Sequence, residues 1–585
     1  MRITLHKHAS SAWHRYHHVI YPVSALLGIL LFVGPPLVFT FFSAFQVPPE
    51  SQLFISDSSW GITNFTNLYA EGALHKTLLD TAIFAGASTL LATIISIIFA
   101  WLVERTDLRF KNIVVVGIII PILVPPVITT IGWILLLGER TGMINSLIRT
   151  VLPFLQSGPI DIFSMFGMIL AQGLSLVPLL FIFFIAALRG FDNVLEEAAQ
   201  ASGANTRRIL FSITLPLLRP HLLAGALIAL IFSIEAFEVP LFLALGADAN
   251  ILASRVFFAL NDAAGNAPEY GTVSALGLHF LLITSILFYL YAQLVRKSYS
   301  YRMIPMMRKS SLIRLGKWQL PAIAIITLFF FVTVLLPFAV LIWTSLHDHY
   351  IQPSFSSLNL ISLDQYRNLL EDSRFLPALT NTMIVVTVAP TLAVFIAVIT
   401  AWSTQRNLAT AKLAKLLDLL ASSSIAIPGV IAANGLLLFY LRLNSLLPLW
   451  VPLWGTLVVL IFAYTYRISI AYRIQKAGFA QLDTRLDEAA ATSGAGLWAT
   501  LRFITLPLLK SNWAGAWVLL SLYSLKELTL PLIIHSGGPP DLISTLIWKL
   551  WGYDTGQAAA LAVISIFFTA VFLLGIWKLI WKKSR

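Results

Sequence analysis

The sequence predicts an all-α integral membrane protein: twelve transmembrane helices in two parallel six-helix repeats. Three observations predict it, namely an apolar composition, apolar runs long enough to cross a bilayer, and a long-range internal echo. Of the 585 residues, 58% are hydrophobic and only 11% charged, against about 25% charged in an ordinary soluble domain. That balance excludes a soluble enzyme. Cysteine is absent, which excludes disulfides, thiolate metal sites and cysteine nucleophiles. The formal charge of +12 comes from short basic clusters beside apolar segments, an arrangement that suits cytoplasmic loops and lipid headgroups rather than nucleic acid.

A crossing helix needs about 20 apolar residues. The first run, 19–45, is longer than the roughly 7 to 15 residues of a signal-peptide core, so it reads as a retained span. Before it lies a basic tail, residues 1–18, whose His6, His8, His14, His17 and His18 read as a solvated flank rather than a metal sensor. Runs at 79–103, 112–137, 160–188, 221–246 and 273–295 complete a first six-helix repeat, 19–295. Residues 296–318 carry Arg296, Lys297, Arg302, Arg308, Lys309, Arg314 and Lys317 without an acid, and read as a cytoplasmic linker. The second repeat, 319–581, contains runs at 319–345, 378–403, 417–441, 447–472, 512–535 and 557–581, and residues 582–585 form a short tail. Most Lys and Arg fall on the side of the N-terminus, so the positive-inside rule places both termini in the cytoplasm.

The two series echo one another. Asn67-Leu68 returns as Asn368-Leu369, Asp80-Thr81 as Asn381-Thr382, and Ala100-Trp101 with Arg105 as Ala401-Trp402 with Arg406. Later echoes run ten residues closer, which assigns the first half a surplus, best placed in the 139–159 loop. Six spans in each half put equivalent loops on the same side of the bilayer, so the repeats are parallel about an axis along the membrane normal. Two such halves enclose a central path.

The longest echo is a loop. EEAAQASGANTRRILFSITLPLLRP at 196–220 returns as DEAAATSGAGLWATLRFITLPLLKS at 487–511. Asp192 and Asp483 can cap a short helix whose first turn carries Glu196, Glu197, Asp487 and Glu488, acids favoured at the positive helix end. Ala198, Ala199, Ala489 and Ala490 keep one face slim. Gly203 and Gly494 permit a sharp turn. A second short helix follows, and Pro216 and Pro507, each after a leucine, fit the start of the next membrane helix. A single such loop reads equally well as an amphipathic segment on the headgroups. Two copies form matched knobs that suit a two-fold cytoplasmic partner.

The pattern Glu-Ala-Ala, three residues, Gly, nine residues, Ile, one residue, Leu-Pro resembles that of binding-protein-dependent ABC importer permeases. It is met by Glu197, Ala198, Ala199, Gly203, Ile213, Leu215 and Pro216, and again by Glu488, Ala489, Ala490, Gly494, Ile504, Leu506 and Pro507. Two such halves in tandem resemble the ferric-iron, thiamine, polyamine and phosphonate branch, and AWLVERTDL at 100–108 is similar to the ferric-iron type. The resemblance implies a type I importer fold and a cytoplasmic-membrane transport subunit without an ATPase of its own. Each loop would be a coupling helix in a cleft of one of two separate ATPase copies, with Glu197 and Glu488 in polar contacts and Gly203 and Gly494 shaping the turn. It further implies an extracytoplasmic solute-binding protein as partner, no cofactor on this chain, and ATP with Mg on the ATPase. The sequence contains no GxxxxGK[ST] phosphate loop, in keeping with that division of labour.

Charges inside the spans are costly, at least about 2.5 to 3.5 kcal/mol near the bilayer centre, and so belong in the bundle interior. Glu235 and Glu238 precede Pro240 and, three apart, would share one helix face. At the matching place stand Lys526 and Glu527, before Pro531. Two readings stay open: a salt bridge of Lys526 with Glu235 or Glu238 across the pseudo-axis, or weak oxygen contacts along a cation pathway. Tight metal chelation fits neither, and no metal site is assigned. Pro125-Pro126 and its echo Pro428-Gly429 predict kinks in the third span of each half, whether for packing or for gating. An ion-gradient-driven secondary transporter of twelve spans and a non-transporting scaffold are the competing readings; the paired loop opposes the first and the buried carboxylates the second.

Overall fold

The computed structural model describes residues 2–48, 58–70, 72–154, 158–190, 194–261, 268–299, 312–406, 408–447, 453, 455–535 and 538–581. Asp192, Arg302, Arg308, Lys309 and the tail 582–585 lie outside the described residues. The chain is helical almost throughout; a two-stranded antiparallel ladder, Gln46–Val47 with Ser59–Trp60, follows the first helix. Among the described residues nine helices are long and apolar enough to cross a membrane, and eleven segments are if each of two sharply bent pairs counts as one. The eleventh predicted span, 512–535, is the one not counted: it is a 17-residue helix, Lys510–Lys526, interrupted at Glu527 and continued as Thr529–Ile534.

Several predicted spans differ in shape. The third is no kinked rod: Lys111–Leu123 and Pro126–Leu137 meet at 97° across the double proline, because Pro126 lacks the N–H that would continue the helix and holds Pro125 in an extended conformation. In the second half Ala411–Ser423 and Gly429–Leu446 are separated by a 3₁₀ turn and Pro428. The tenth span, expected at 447–472, instead comprises Leu457–Thr465 and Ile468–Gln481, bent by 45° at Arg467. Arg473 and Lys476 end its apolar run early, although the helix continues through them to Gln481.

The element order of the first half recurs in the second, and the echoing residues have recurring duties. Thr81 accepts the N–H of Leu252 (3.0 Å) at the start of the helix Leu252–Leu260; Thr382 accepts that of Ile543 (2.9 Å) at the start of Ile543–Trp551. Each satisfies an N-terminal amide that the helix itself cannot. The helix Met143–Val151 has no counterpart among the described residues between Leu446 and Leu457, which is where the ten-residue surplus falls.

The halves interlock. A Cβ on Gly435 would lie 2.2 Å from the carbonyl oxygen of Pro36, and one on Gly132 would lie 2.8 Å from Cβ of Pro337. The opening helix of each half is therefore packed on the broken third segment of the other, at a separation only glycine allows. Ile29, Phe280, Ala397 and Val430 belong to one buried core that runs through both halves.

A wide π turn precedes three Leu-Pro pairs: Leu210–Thr214 before Leu215-Pro216, Phe331–Leu335 before Leu336-Pro337, and Leu501–Thr505 before Leu506-Pro507. In each, the leucine N–H bonds five residues back, as in Leu215 to Leu210. The wider turn moves the carbonyl that the proline ring would otherwise strike and leaves without a donor. Hence Pro216 does not open the fifth membrane helix as expected. That helix runs from Arg207 to Ile234 and carries the proline inside a continuous, widened stretch.

Candidate functional site

Each repeated loop folds as helix, turn, helix. The first helices are Val194–Ala201 and Arg485–Thr492, and Asp483 accepts the N–H of Arg485 (2.9 Å) at the start of the second of them. Gly203 and Gly494 take φ of +84° and +81°. Around them Ala204 N–H reaches Ala199 O and Ala495 N–H reaches Ala490 O, both at 3.0 Å, the six-to-one closure that ends a helix on a left-handed residue. Nothing lies within 4 Å of a Cβ built on either glycine, so backbone conformation, not crowding, selects glycine there.

The slim face divides in two. Leu195, Ala198, Leu486 and Ala489 are exposed, whereas Ala199 is half-buried and Ala490 buried against the bundle. Glu488 is exposed and Glu197 half-buried. Leu215 and Leu506 are half-buried, and Pro216 and Pro507 exposed, at the wide turns.

The preceding acids, Glu196 and Asp487, face inward. Arg105, at the end of the helix Ala73–Arg105, places Nε 3.3 Å from Glu196 and donates from a terminal nitrogen to Leu188 O (3.1 Å). Arg406, just after the helix Phe375–Gln405, places Nε 2.6 Å from Asp487 and donates to Leu482 O (3.2 Å). Thr214, in the wide turn, donates to Glu196 at 2.6 Å. One guanidinium thus ties three pieces together in each half: the second membrane helix, the end of the fourth and the loop helix. These latches were missed in the sequence. The recurrence of Arg105 as Arg406 and of Glu196 as Asp487 was the available signal, but nothing in it says that the two meet.

The second cluster lies within the spans. Glu235 and Glu238 do not share a helix face: Glu235 follows the last residue of Leu215–Ile234, and Glu238 opens the short helix Glu238–Leu243. In the second half Lys526 ends one helix and Glu527 occupies the break. Pro531 has no N–H for the carbonyl of Glu527, and that oxygen accepts instead from Tyr464 (3.2 Å) and Ser544 (2.9 Å). Side chains thereby satisfy the group the proline frees.

Among the described residues no ion pair joins Lys526 to Glu235 or Glu238; the pair that forms is Arg467 with Glu527, at 3.1 Å. The Arg467 guanidinium lies 4.1 Å from the ring centre of Tyr523 and 5.2 Å from that of Tyr466. Glu235 and Glu238 are within electrostatic reach of Arg467 and Glu527, and Lys526 of Glu238. Three carboxylates and two cations from both halves therefore converge where the helices break. Oε1 of Glu235 is buried without a hydrogen-bond partner. Among the described residues no group of three or more His, Asp or Glu could hold a metal ion.

Comparison with known proteins shows the family. The model of the binding-protein-dependent transport system inner membrane component matches twice, over residues 92–299 and 378–580. A ferric transport system permease of Actinobacillus pleuropneumoniae is 28% identical over 498 residues, 83% of this chain and 68% of the relative. A relative from Haemophilus influenzae that carries a ferric transport permease name is 27% identical over 498 residues, 83% of this chain and 74% of its own length. Among solved structures, a bacterial ABC transporter involved in alginate import has a TM-score of 0.35 at 18% identity, covering 46% of this chain and 98% of that one. With two copies of the family domain spanning most of its length, the chain belongs to the binding-protein-dependent transport system inner membrane components and is a tandem multi-pass permease.

Proposed function

We propose that this chain forms the entire translocation path of an ATP-driven importer, with twelve crossings in two parallel six-helix repeats, 19–295 and 319–581, joined by the cytoplasmic linker 296–318. Both termini and both repeated loops face the cytoplasm. Two copies of a separate ATPase, which binds the ATP and Mg, receive Leu195, Ala198 and Gly203 on one side and Leu486, Ala489 and Gly494 on the other, with Glu197 and Glu488 as polar contacts. Their closure moves the loops together, and the latches at Arg105 and Arg406 pass that motion to the membrane helices as a rigid-body switch. The observation that carries this reading is the duplication itself, in which the same left-handed glycine, wide turn and arginine latch are built twice.

The cargo we assign is ferric iron, delivered by an extracytoplasmic binding protein; the names of the two ferric permease relatives support it. The acidic excess where the helices break supplies transient oxygen contacts, and the neighbouring cations keep them weak enough for release. Uptake by proteoliposomes that contain the permease, its ATPase and its binding protein tests the assignment. ATP-dependent accumulation of ferric iron, uncompeted by thiamine, polyamine or phosphonate, is the expected result. Accumulation of one of those three in its place reassigns the cargo, and uptake that persists without any ATPase points to a secondary transporter.

A further inference from the structure

A groove of about 550 Å³ opens between the helix Phe375–Gln405 and the segment that runs from the second coupling loop into the following membrane helix. Its walls are apolar: Val394, Phe395 and Val398 on one side, Trp513 and Trp517 on the other. It is also a built site, because both indoles are pinned. Trp513 donates to Leu506 O (3.0 Å) and Trp517 to the Thr391 hydroxyl (2.9 Å).

The groove is polarised along its length. Trp498 and Arg502, from the coupling loop, stand at one end, Lys510 lies further in, and Trp517 with Thr391 closes the other. From Ile399 to Thr391 the helix advances about 12 Å, from the level of the loop toward the middle of the span. No acidic residue lines the groove, and neither Arg502 nor Lys510 forms an ion pair among the described residues. At the corresponding places the first half has Arg207, Phe211, Leu222 and Ala226 where the second has Trp498, Arg502, Trp513 and Trp517. The tryptophan wall belongs to one half alone, whereas the first half keeps basic residues, Arg207 and Arg219, without it.

We propose that this groove binds one anionic phospholipid, its phosphodiester against Arg502 with Lys510 reaching up from below, and an acyl chain along Phe395, Val398 and Trp517. A basic mouth over an apolar slot suits a molecule with a negative head and a hydrocarbon tail, and a lysine stem lies on apolar surface while its ammonium extends toward the headgroups. The bound lipid bridges the second coupling loop to the membrane helix that the Arg406 latch already holds. The site is independent of which cargo is carried, and its test reads lipid binding alone.

The probe is phosphatidylglycerol with brominated acyl chains, titrated into the full-length chain in detergent while tryptophan fluorescence is followed; brominated phosphatidylcholine is the comparison. Saturable quenching is expected at about tenfold lower concentration of phosphatidylglycerol, with that component lost in W513F/W517F. In R502Q/K510Q the preference disappears, and in R219Q, at the matching place in the first half, it stays. Equal affinity for the two lipids overturns the proposal in favour of ordinary boundary lipid, and the lipid comparison decides even if a variant fails to fold. Displacement of the lipid by millimolar inorganic phosphate overturns it in favour of a simple anion site. A co-purified polypeptide that shields Trp513 and Trp517 from both lipids overturns it in favour of a protein partner.

Discussion

Replacement of Arg467 by methionine is expected to destabilise the protein by about 3 to 5 kcal/mol, the cost of leaving a buried charge without its partner. The Glu527 side chain is only 5% exposed and Arg467 17%, so water can replace little of what the guanidinium supplies. Further loss comes from the Tyr466 and Tyr523 rings, which lie beside the cation and are worth about 0.5 to 2 kcal/mol each when desolvated. The double variant R467M/E527Q is expected to recover most of the deficit, because a neutral amide can still accept the Leu530 N–H that Glu527 now accepts at 3.2 Å. Thermal unfolding in detergent reads both variants. Equal destabilisation by the single and double changes would show that the pair contributes packing alone.

Reversal of one latch charge is expected to uncouple ATP hydrolysis from transport, and reversal of both partners to restore it. In R406E two acids face each other where Nε of Arg406 and Asp487 now meet at 2.6 Å, so the loop helix separates from the end of its membrane helix. Transport per ATP falls about 5- to 150-fold, the usual range for the loss of a coupling free energy between two sites. R406E/D487R brings the opposite charges together again and recovers a large part of it. The same pair of outcomes is expected for R105E and R105E/E196R, where the latch has both side chains largely buried. Transport and ATPase rates measured together in proteoliposomes decide: if both fall in step in the single variants, the arginines serve folding rather than transmission.

The membrane fold was legible because it rests on composition and repetition. The apolar runs mark the helices, and the echo of Asp80-Thr81 in Asn381-Thr382 marks a cap made twice, to Leu252 and to Ile543. The conformation of the repeated loop was legible for a similar reason, since a left-handed backbone leaves glycine at 203 and 494 in both copies.

What stayed hidden depends on where continuity fails. The spacing of Glu235 and Glu238 implies one face only if a helix runs unbroken through them, and it breaks between them. Charge order along the chain suggested Lys526 as the counter-ion, while the bend at Arg467 delivers a different cation to Glu527. The latches share this limit: Arg105 and Glu196 belong to segments far apart in sequence, and only the packing of the helices between them brings the two together.

The absence of native cysteine makes A198C and A489C unique thiols, one on the exposed face of each repeated loop. Labelling of each with a membrane-impermeant maleimide, in vesicles of both orientations and with or without the ATPase, tests most directly whether the duplicated loops are paired docking sites. Both thiols are predicted to react only from the cytoplasmic face and to be shielded once the ATPase assembles. Reaction from opposite faces, or full reactivity of both in a complex that still transports, would contradict the account.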